Sequence, residues 1–267
     1  MTRTVRRPVG LGWEPDIDPN DREFPMATVL AMDESLVEAP LPAQLYYQTG
    51  PILNQGAYPM CVGYSWRQWL TTGLVENTNL NPDGRTIYCE ARKLDPWAGD
   101  CTTDLRSGTS TRAGAKSLQA RGLITTYVWA WDAATVRTWI LSGKGPVIVG
   151  TRWYNSMYRP AGGRIIVTPT SGLAGGHAYL ISGFDDVTKL FRVTNSWGPY
   201  WGTKGHANMR YNDLNLLLSA AQQGECVTAV EIDRDVFQPA NSVVATENLL
   251  DILVDIGTAE AHETIKE

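Results

Sequence analysis

Apolar and polar positions follow two rhythms along this chain. Between residues 61 and 143 apolar positions recur at helical spacing. Val62, Trp66, Trp69, Leu70 and Leu74 make one buried face of a helix that opens at Cys61. Ile87, Tyr88, Ala91 and Leu94 predict a second helix, stopped near Pro96. A third runs from Ser107-Gly108-Thr109-Ser110 through Ala115 and Leu118 to Arg121-Gly122, with hydroxyls at its start and glycine at its end as capping requires. A fourth spans 132–143 through Val136, Trp139 and Ile140. From Pro146 onward the rhythm shortens. Runs at 146–150, 164–168, 177–182, 190–194, 206–211 and 226–232 read as strands between glycine turns, with one short helix at 213–221. A helical half followed by a β half predicts an α+β protein of two lobes sharing a cleft.

The flanks read differently. Residues 1–43 are rich in Pro and Asp and read as an extended arm, not a helix, anchored by Trp13 and Phe24. The organisation expected is an N-terminal arm on the second lobe (1–54), a helical lobe (55–143), a β-rich lobe (144–235) and a tail (236–267). In the tail Val244, Leu249, Leu250, Leu253 and Ile256 share helical spacing, interleaved with Glu247, Asp251 and Asp255. This predicts an amphipathic helix that docks on the body or binds a protein partner.

Composition narrows the classes. Hydrophobic residues make up 43% of 267, enough for a sizeable core. Ten Trp suggest wide aromatic packing or an aromatic-lined groove. A net charge of −5, with a basic cluster only at Arg3, Arg6 and Arg7, argues against nucleic-acid binding. No apolar run is long enough to span a membrane. No apolar region follows the basic N-terminus, so no signal peptide is expected and a cytoplasmic location is. The four cysteines are Cys61, Cys89, Cys101 and Cys226. Their spacing offers no zinc pattern and fits a reducing compartment, while leaving open whether Cys89 and Cys101 pair.

Candidate chemistry sits at three places. Gln55 carries an amide donor, and a turn through Pro59 leads into Cys61, a thiol in the first turn of a helix. Unpaired N–H groups and the helix dipole there favour thiolate. A lone cysteine is more often a small buried hydrophobe. What shifts the balance is His177, after Gly175-Gly176, and Asn195 at the head of Asn195-Ser196-Trp197-Gly198-Pro199-Tyr200-Trp201-Gly202. Asn195 follows Cys61 at a separation inside the roughly 130–150 residues known for Cys-His-Asn enzymes. In that order Cys61 is the nucleophile, His177 its proton partner and Asn195 the group that orients the imidazole, with Gln55 a donor to the developing oxyanion. Trp197 would shield the His–Asn bond, and Trp201 would pack beneath it. His206 and His262 read as structural or surface residues.

On these residues the chain resembles the papain family of cysteine peptidases (clan CA, family C1), over about residues 10–235. Gln55-Gly56 with Cys61, the strand at His177-Ala178, and Asn195-Ser196-Trp197-Gly198 with Trp201-Gly202 are similar to the family's blocks. The resemblance implies a helical left lobe and a β-barrel-like right lobe, with Cys61 and His177 on opposite walls of the cleft. It also implies contact of Gly108 and Ser110 with substrate backbone, a peptide or protein substrate, and no metal or cofactor. Val62 stands where most members have Trp, Tyr58 where secreted members have a disulfide cysteine, and Met60 where Ser is usual. These departures, with the leader Gly12-Trp13-x-Pro15-Asp16, look like the bacterial and bacteriophage-type branches. The 54 residues before Gln55 are fewer than the long inhibitory prosegment of lysosomal-type members. Thiol-dependent peptide hydrolysis is the leading expectation. The alternatives are a structural or assembly module on the same fold, for instance virion-associated, and a peptidoglycan-directed amidase.

Overall fold

The computed structural model describes residues 10–38, 40–73, 82–101 and 107–230. Seven helices and seven strands are resolved among them. The helical lobe is built from α3 (Cys61–Leu70), α4 (Gly84–Leu94) and α5 (Thr111–Ala120). Side chains that precede the helices cap two of them. Asp83 accepts from the Thr86 N–H at 2.7 Å, and Ser110 accepts from the Ala113 N–H at 3.0 Å. Gly63 sets the spacing of α3 and α4, because a Cβ there would lie 2.2 Å from the Gly84 carbonyl oxygen. Across the lobe the Trp66 indole donates to the Thr111 carbonyl at 3.0 Å.

The second lobe is an antiparallel sheet in the order β2-β7-β3-β4-β5-β6, with β1 also on β4. These are β1 (Gln44–Tyr46), β2 (Thr126–Ala130), β3 (Val147–Tyr154), β4 (Leu173–Asp185), β5 (Leu190–Thr194), β6 (His206–Arg210) and β7 (Glu225–Val230). Side chains alternate faces along a strand. On β3 and β4 that alternation divides the core in two. Val149, Trp153, Tyr179 and Ile181 join Trp139 and Ile140 of α6 (Ala133–Leu141) and Leu214 and Leu217 of α7 (Tyr211–Leu218). Ile148, Ala178 and Leu180 face the other way and pack with Cys61, Val62 and Trp66 of α3. The nucleophile candidate and the strand after His177 therefore belong to one apolar cluster.

Several expectations need correction. The arm is not extended throughout. A 3₁₀ turn occupies Pro19–Glu23, capped by Asp18 with proline at its first position, and α1 (Met26–Ala31) and α2 (Ser35–Glu38) follow. Trp13 anchors the arm, 2% exposed, but Phe24 is 39% exposed, and Met26 is the buried side chain beside it. The run at 164–168 is no strand. Ile165 gives one hydrogen bond to Asn208, and Pro169 then turns the chain. Strand β2 escaped sequence reading and pairs with β7 from Thr126↔Val230 to Ala130↔Cys226. Cys89 and Cys101, whose pairing the sequence leaves open, form a disulfide. Leu74 and the helix expected in the tail lie outside the described residues.

Candidate active site

Cys61 is the first residue of α3 and is fully buried. Its Sγ accepts the Ala178 backbone N–H at 3.3 Å, so the thiol lies against β4 one residue beyond His177. His177 Nε2 lies 2.9 Å from Asn195 Oδ1. The other ring nitrogen, Nδ1, is buried without a hydrogen-bond partner. Asn195 follows β5 and is itself fixed, its backbone N–H donating to Gly205 and its Oδ1 accepting from the Ser196 N–H at 2.8 Å. Trp197 stacks on the imidazole, with centroids 4.6 Å apart and planes 26° apart. Trp153 meets the same ring edge-on, and Trp201 meets Trp197 at 88°. An aromatic wall thus encloses the imidazole and its amide partner.

Gln55 is tied to this wall through its neighbours. Its backbone N–H donates to Ser196, and Gly198 donates to Leu53, so residues 53–55 run beside 196–198. The Ser196 hydroxyl donates to Gln55 Oε1 at 2.6 Å, which orients the Nε2 donor. That donor meets two carbonyls, Tyr58 O at 2.8 Å and Gly10 O at 2.7 Å.

Gly10 belongs to the arm, and the arm fills the cleft. Gly10 donates to Gly56, Gly12 and Trp13 donate to Gly176, Thr109 donates to Gly12, and Glu14 donates to Thr109. The segment therefore bonds to both walls, Gly176 beside His177 and Thr109 beside α5. The approach requires glycine on both sides. Gly12 has φ of +133°, and a Cβ there would lie 2.3 Å from Pro59 O. A Cβ on Gly176 would lie 2.0 Å from Trp13 O. The Trp13 indole lies over Gly150 and donates to the buried Glu225 at 3.0 Å. Further along, Arg112 of α5 gathers three arm carboxylates, those of Asp16, Asp18 and Asp21.

Water exclusion governs the electrostatics. Burial pushes the Cys61 thiol up to about 12, partly opposed by the backbone N–H of Ala178, and it pushes His177 down to about 4. Both shifts favour the uncharged forms, a neutral thiol and a neutral imidazole. Burial also raises Glu225 to about 7, against the bonds from Thr111 and Trp13.

Sequence-expected residues fall as follows. At the α3–β4–β5 junction His177 pairs with Asn195 and Cys61 lies against Ala178, the next residue, while Gln55, Trp197 and Trp201 flank this region. Gly108 and Ser110 bracket the point of backbone pairing, which falls on Thr109. The Gly108 carbonyl accepts from buried Arg92 at 3.0 Å, and Ser110 Oγ donates to Asp16 at 3.2 Å. Sequence reasoning missed Glu225, although a carboxylate opening the apolar run Cys226-Val227 is a usable signal. Among the described residues no His, Cys, Asp or Glu group has the arrangement of a metal site. Nor is any described helix long and apolar enough to cross a membrane.

The fold has known counterparts. Xylellain, a cysteine protease from Xylella fastidiosa, superposes with a TM-score of 0.60 at 21% identity, over 84% of this chain and 97% of that one. Digestive procathepsin L2 from Tenebrio molitor larval midgut does so with a TM-score of 0.58 at 17% identity, over 84% and 78%. At the sequence level, cathepsin B-like cysteine proteinase 5 of Caenorhabditis elegans is 27% identical over 172 residues, 57% of this chain and 47% of that protein. The chain spans less than half the length of the curated relatives it matches. The model of the papain family cysteine proteases matches residues 60–227, more than half of the chain, and the chain belongs to that family.

Proposed function

We propose that this chain hydrolyses peptide bonds through Cys61, His177 and Asn195, and that its arm holds it latent. The observation that carries the reading is the thiol at 3.3 Å from the backbone N–H of Ala178, the residue after His177, whose Nε2 is held by Asn195 and whose Nδ1 is left without a partner. In the open cleft Cys61 passes its proton to His177, and the thiolate attacks the scissile carbonyl carbon. Gln55 Nε2, freed from Gly10 O, donates to the oxyanion. The C–N bond breaks as His177 protonates the leaving amine, which leaves an acyl thioester. Water then gives a proton to His177 and its oxygen to the acyl carbon. The acid departs and the thiol is restored. Asn195 keeps the imidazole in the plane this shuttle needs.

Latency is supported by the arm's bonds to both walls and by the neutral pair that burial imposes. Val62, Tyr58 and the Gly12-Trp13 leader support placement in a bacterial or bacteriophage-type branch. The complete set of four polar groups favours hydrolysis over an assembly module or a peptidoglycan amidase. The test is hydrolysis of a fluorogenic peptide library by wild type, Trp13→Ala and Cys61→Ala, with epoxide labelling of Cys61 alongside. Cleavage by Trp13→Ala, much less by wild type and none by Cys61→Ala is expected. Absence of both cleavage and labelling in Trp13→Ala would sink the peptidase reading.

A further inference from the structure

A cavity of about 780 Å³ lies away from the cleft and shares no lining residue with the arm. Four parts of the fold converge on it: the exposed side of α6, the turn between β4 and β5, the loop at Arg164, and the junction of β6 with α7. Each contributes one cation, namely Arg137, Lys189, Arg164 and Arg210. Such a gathering is unexpected on a chain of net charge −5.

The carboxylates nearby do not balance it. Asp186 takes two of the cations. Arg137 approaches it with both Nε, at 2.8 Å, and Nη2, and Lys189 Nζ lies 2.5 Å from it. Asp185 is turned to the backbone N–H groups of Val187 and Thr188. Arg164 and Arg210 make no ion pair among the described residues, and both act on the charge of half-buried Asp213. Four cations therefore face three carboxylates, one of which is committed to backbone N–H groups. Between them Ala134, Leu190 and the ring of Tyr211 supply an apolar floor, and Thr138 and Thr188 line the walls. Planar guanidinium groups match phosphate oxygens in pairs, and an apolar floor suits an organic body better than a bare ion.

We propose that this cavity is a second binding site, which takes a phosphate-bearing organic molecule. Arg164 and Arg210 are its free phosphate donors, and Asp186 holds Arg137 in place as a third. The phosphate comes from a soluble ester or from a lipid headgroup, and one experiment separates the sources.

Full-length Cys61→Ala protein is titrated calorimetrically with phenyl phosphate and with pyrophosphate at low salt. Flotation with phosphatidylcholine vesicles, with and without phosphatidylserine, runs in parallel. Two variants accompany it. Arg164→Ser/Arg210→Ser removes the free cations without touching the Arg137–Asp186 pair. Ala134→Trp fills the floor at an exposed position and leaves the charge unchanged. Saturable binding of phenyl phosphate is expected, tighter than pyrophosphate, and weakened about tenfold or more in each variant while melting temperatures hold. Vesicle binding that phenyl phosphate displaces assigns the phosphate to a lipid. No saturation below about 10 mM, equal affinity in both variants, or vesicle binding that neither soluble probe displaces would overturn the site.

Discussion

The imidazole of His177 makes one hydrogen bond, at 2.9 Å to Asn195, within the aromatic wall of Trp197 and Trp153. Asn195→Ala should lower kcat by about 10–100-fold with little change in KM, because it frees the ring without touching substrate. Steady-state kinetics on an arm-opened background checks this. Gln55→Ala should cost about 10²–10³ in kcat, as loss of an oxyanion donor does. Glu225 acts on stability. Its carboxyl is raised from 4.5 to about 7, so the protonated form is favoured in the fold. The stabilisation is complete below pH 4.5 and is lost as pH rises through 7, on the order of 3 kcal/mol in all. His177 has the opposite sign. Lowered from 6.5 to about 4, it stabilises above pH 6.5 and loses that contribution as pH falls toward 4. These opposing slopes overlap between about pH 4.5 and 6.5, so Glu225→Gln should uncover a rise in melting temperature across that range that wild type lacks. A thermal melt series would contradict this if both proteins kept the same profile between pH 4.5 and 7. The two residues also differ in how they could be read beforehand. The proposed reacting set was legible because its chemistry demands particular residue types in a particular order. Glu225 was not, because Trp13 and Thr111, its partners, are 212 and 114 positions away.

The arm is the element that bonds to both walls of the site. Burial of one Trp removes roughly 150–250 Å² from water, on the order of 5 kcal/mol at about 25 cal/mol per Å². That places the anchor at Trp13 rather than at the exposed Phe24. Backbone fit matters as much, since Gly12 adopts a conformation closed to side chains and lies against Pro59. Gly12→Val should expel the arm and raise the rate of Cys61 alkylation by at least about tenfold, read by mass spectrometry under native conditions. An unchanged rate would mean that the arm does not limit access. Helices α4, α5 and α6 were legible because Asp83, Ser110 and Asp132 cap them from within the local sequence. Strand β2 was not, since its identity depends on β7 nearly a hundred residues later. The apolar run at 164–168 misled for the converse reason, having strand-like residues but only isolated bridges at Arg164, to Ala161 and Asn208.

At the scale of the whole molecule, two cores meet across one sheet, and the alternation along β3 and β4 assigns side chains to each. The lobe order was visible in the switch from helical to strand rhythm. The disulfide was left open, because pairing of Cys89 with Cys101 depends on where the chain after α4 returns. It closes a 12-residue separation beside Arg92, whose guanidinium supports the Gly108 carbonyl. Breaking a loop of about this length costs on the order of 3 kcal/mol, so Cys89→Ser should lower the melting temperature by roughly 5–10 °C. A scan of wild type with and without reductant should show the same shift. The cleft, by contrast, is occupied by its own chain. A tethered occupant competes at an effective concentration near millimolar, whatever the amount of protein present. Dilution cannot open it, and a free peptide copying residues 10–21 would have to be supplied at about that level to replace it. Any substrate binds only the open fraction, so its apparent affinity is the intrinsic affinity multiplied by that fraction. On the proposed latency, strengthening the arm should raise KM for every substrate alike, and severing it should raise turnover at low substrate without altering a single proposed reacting group.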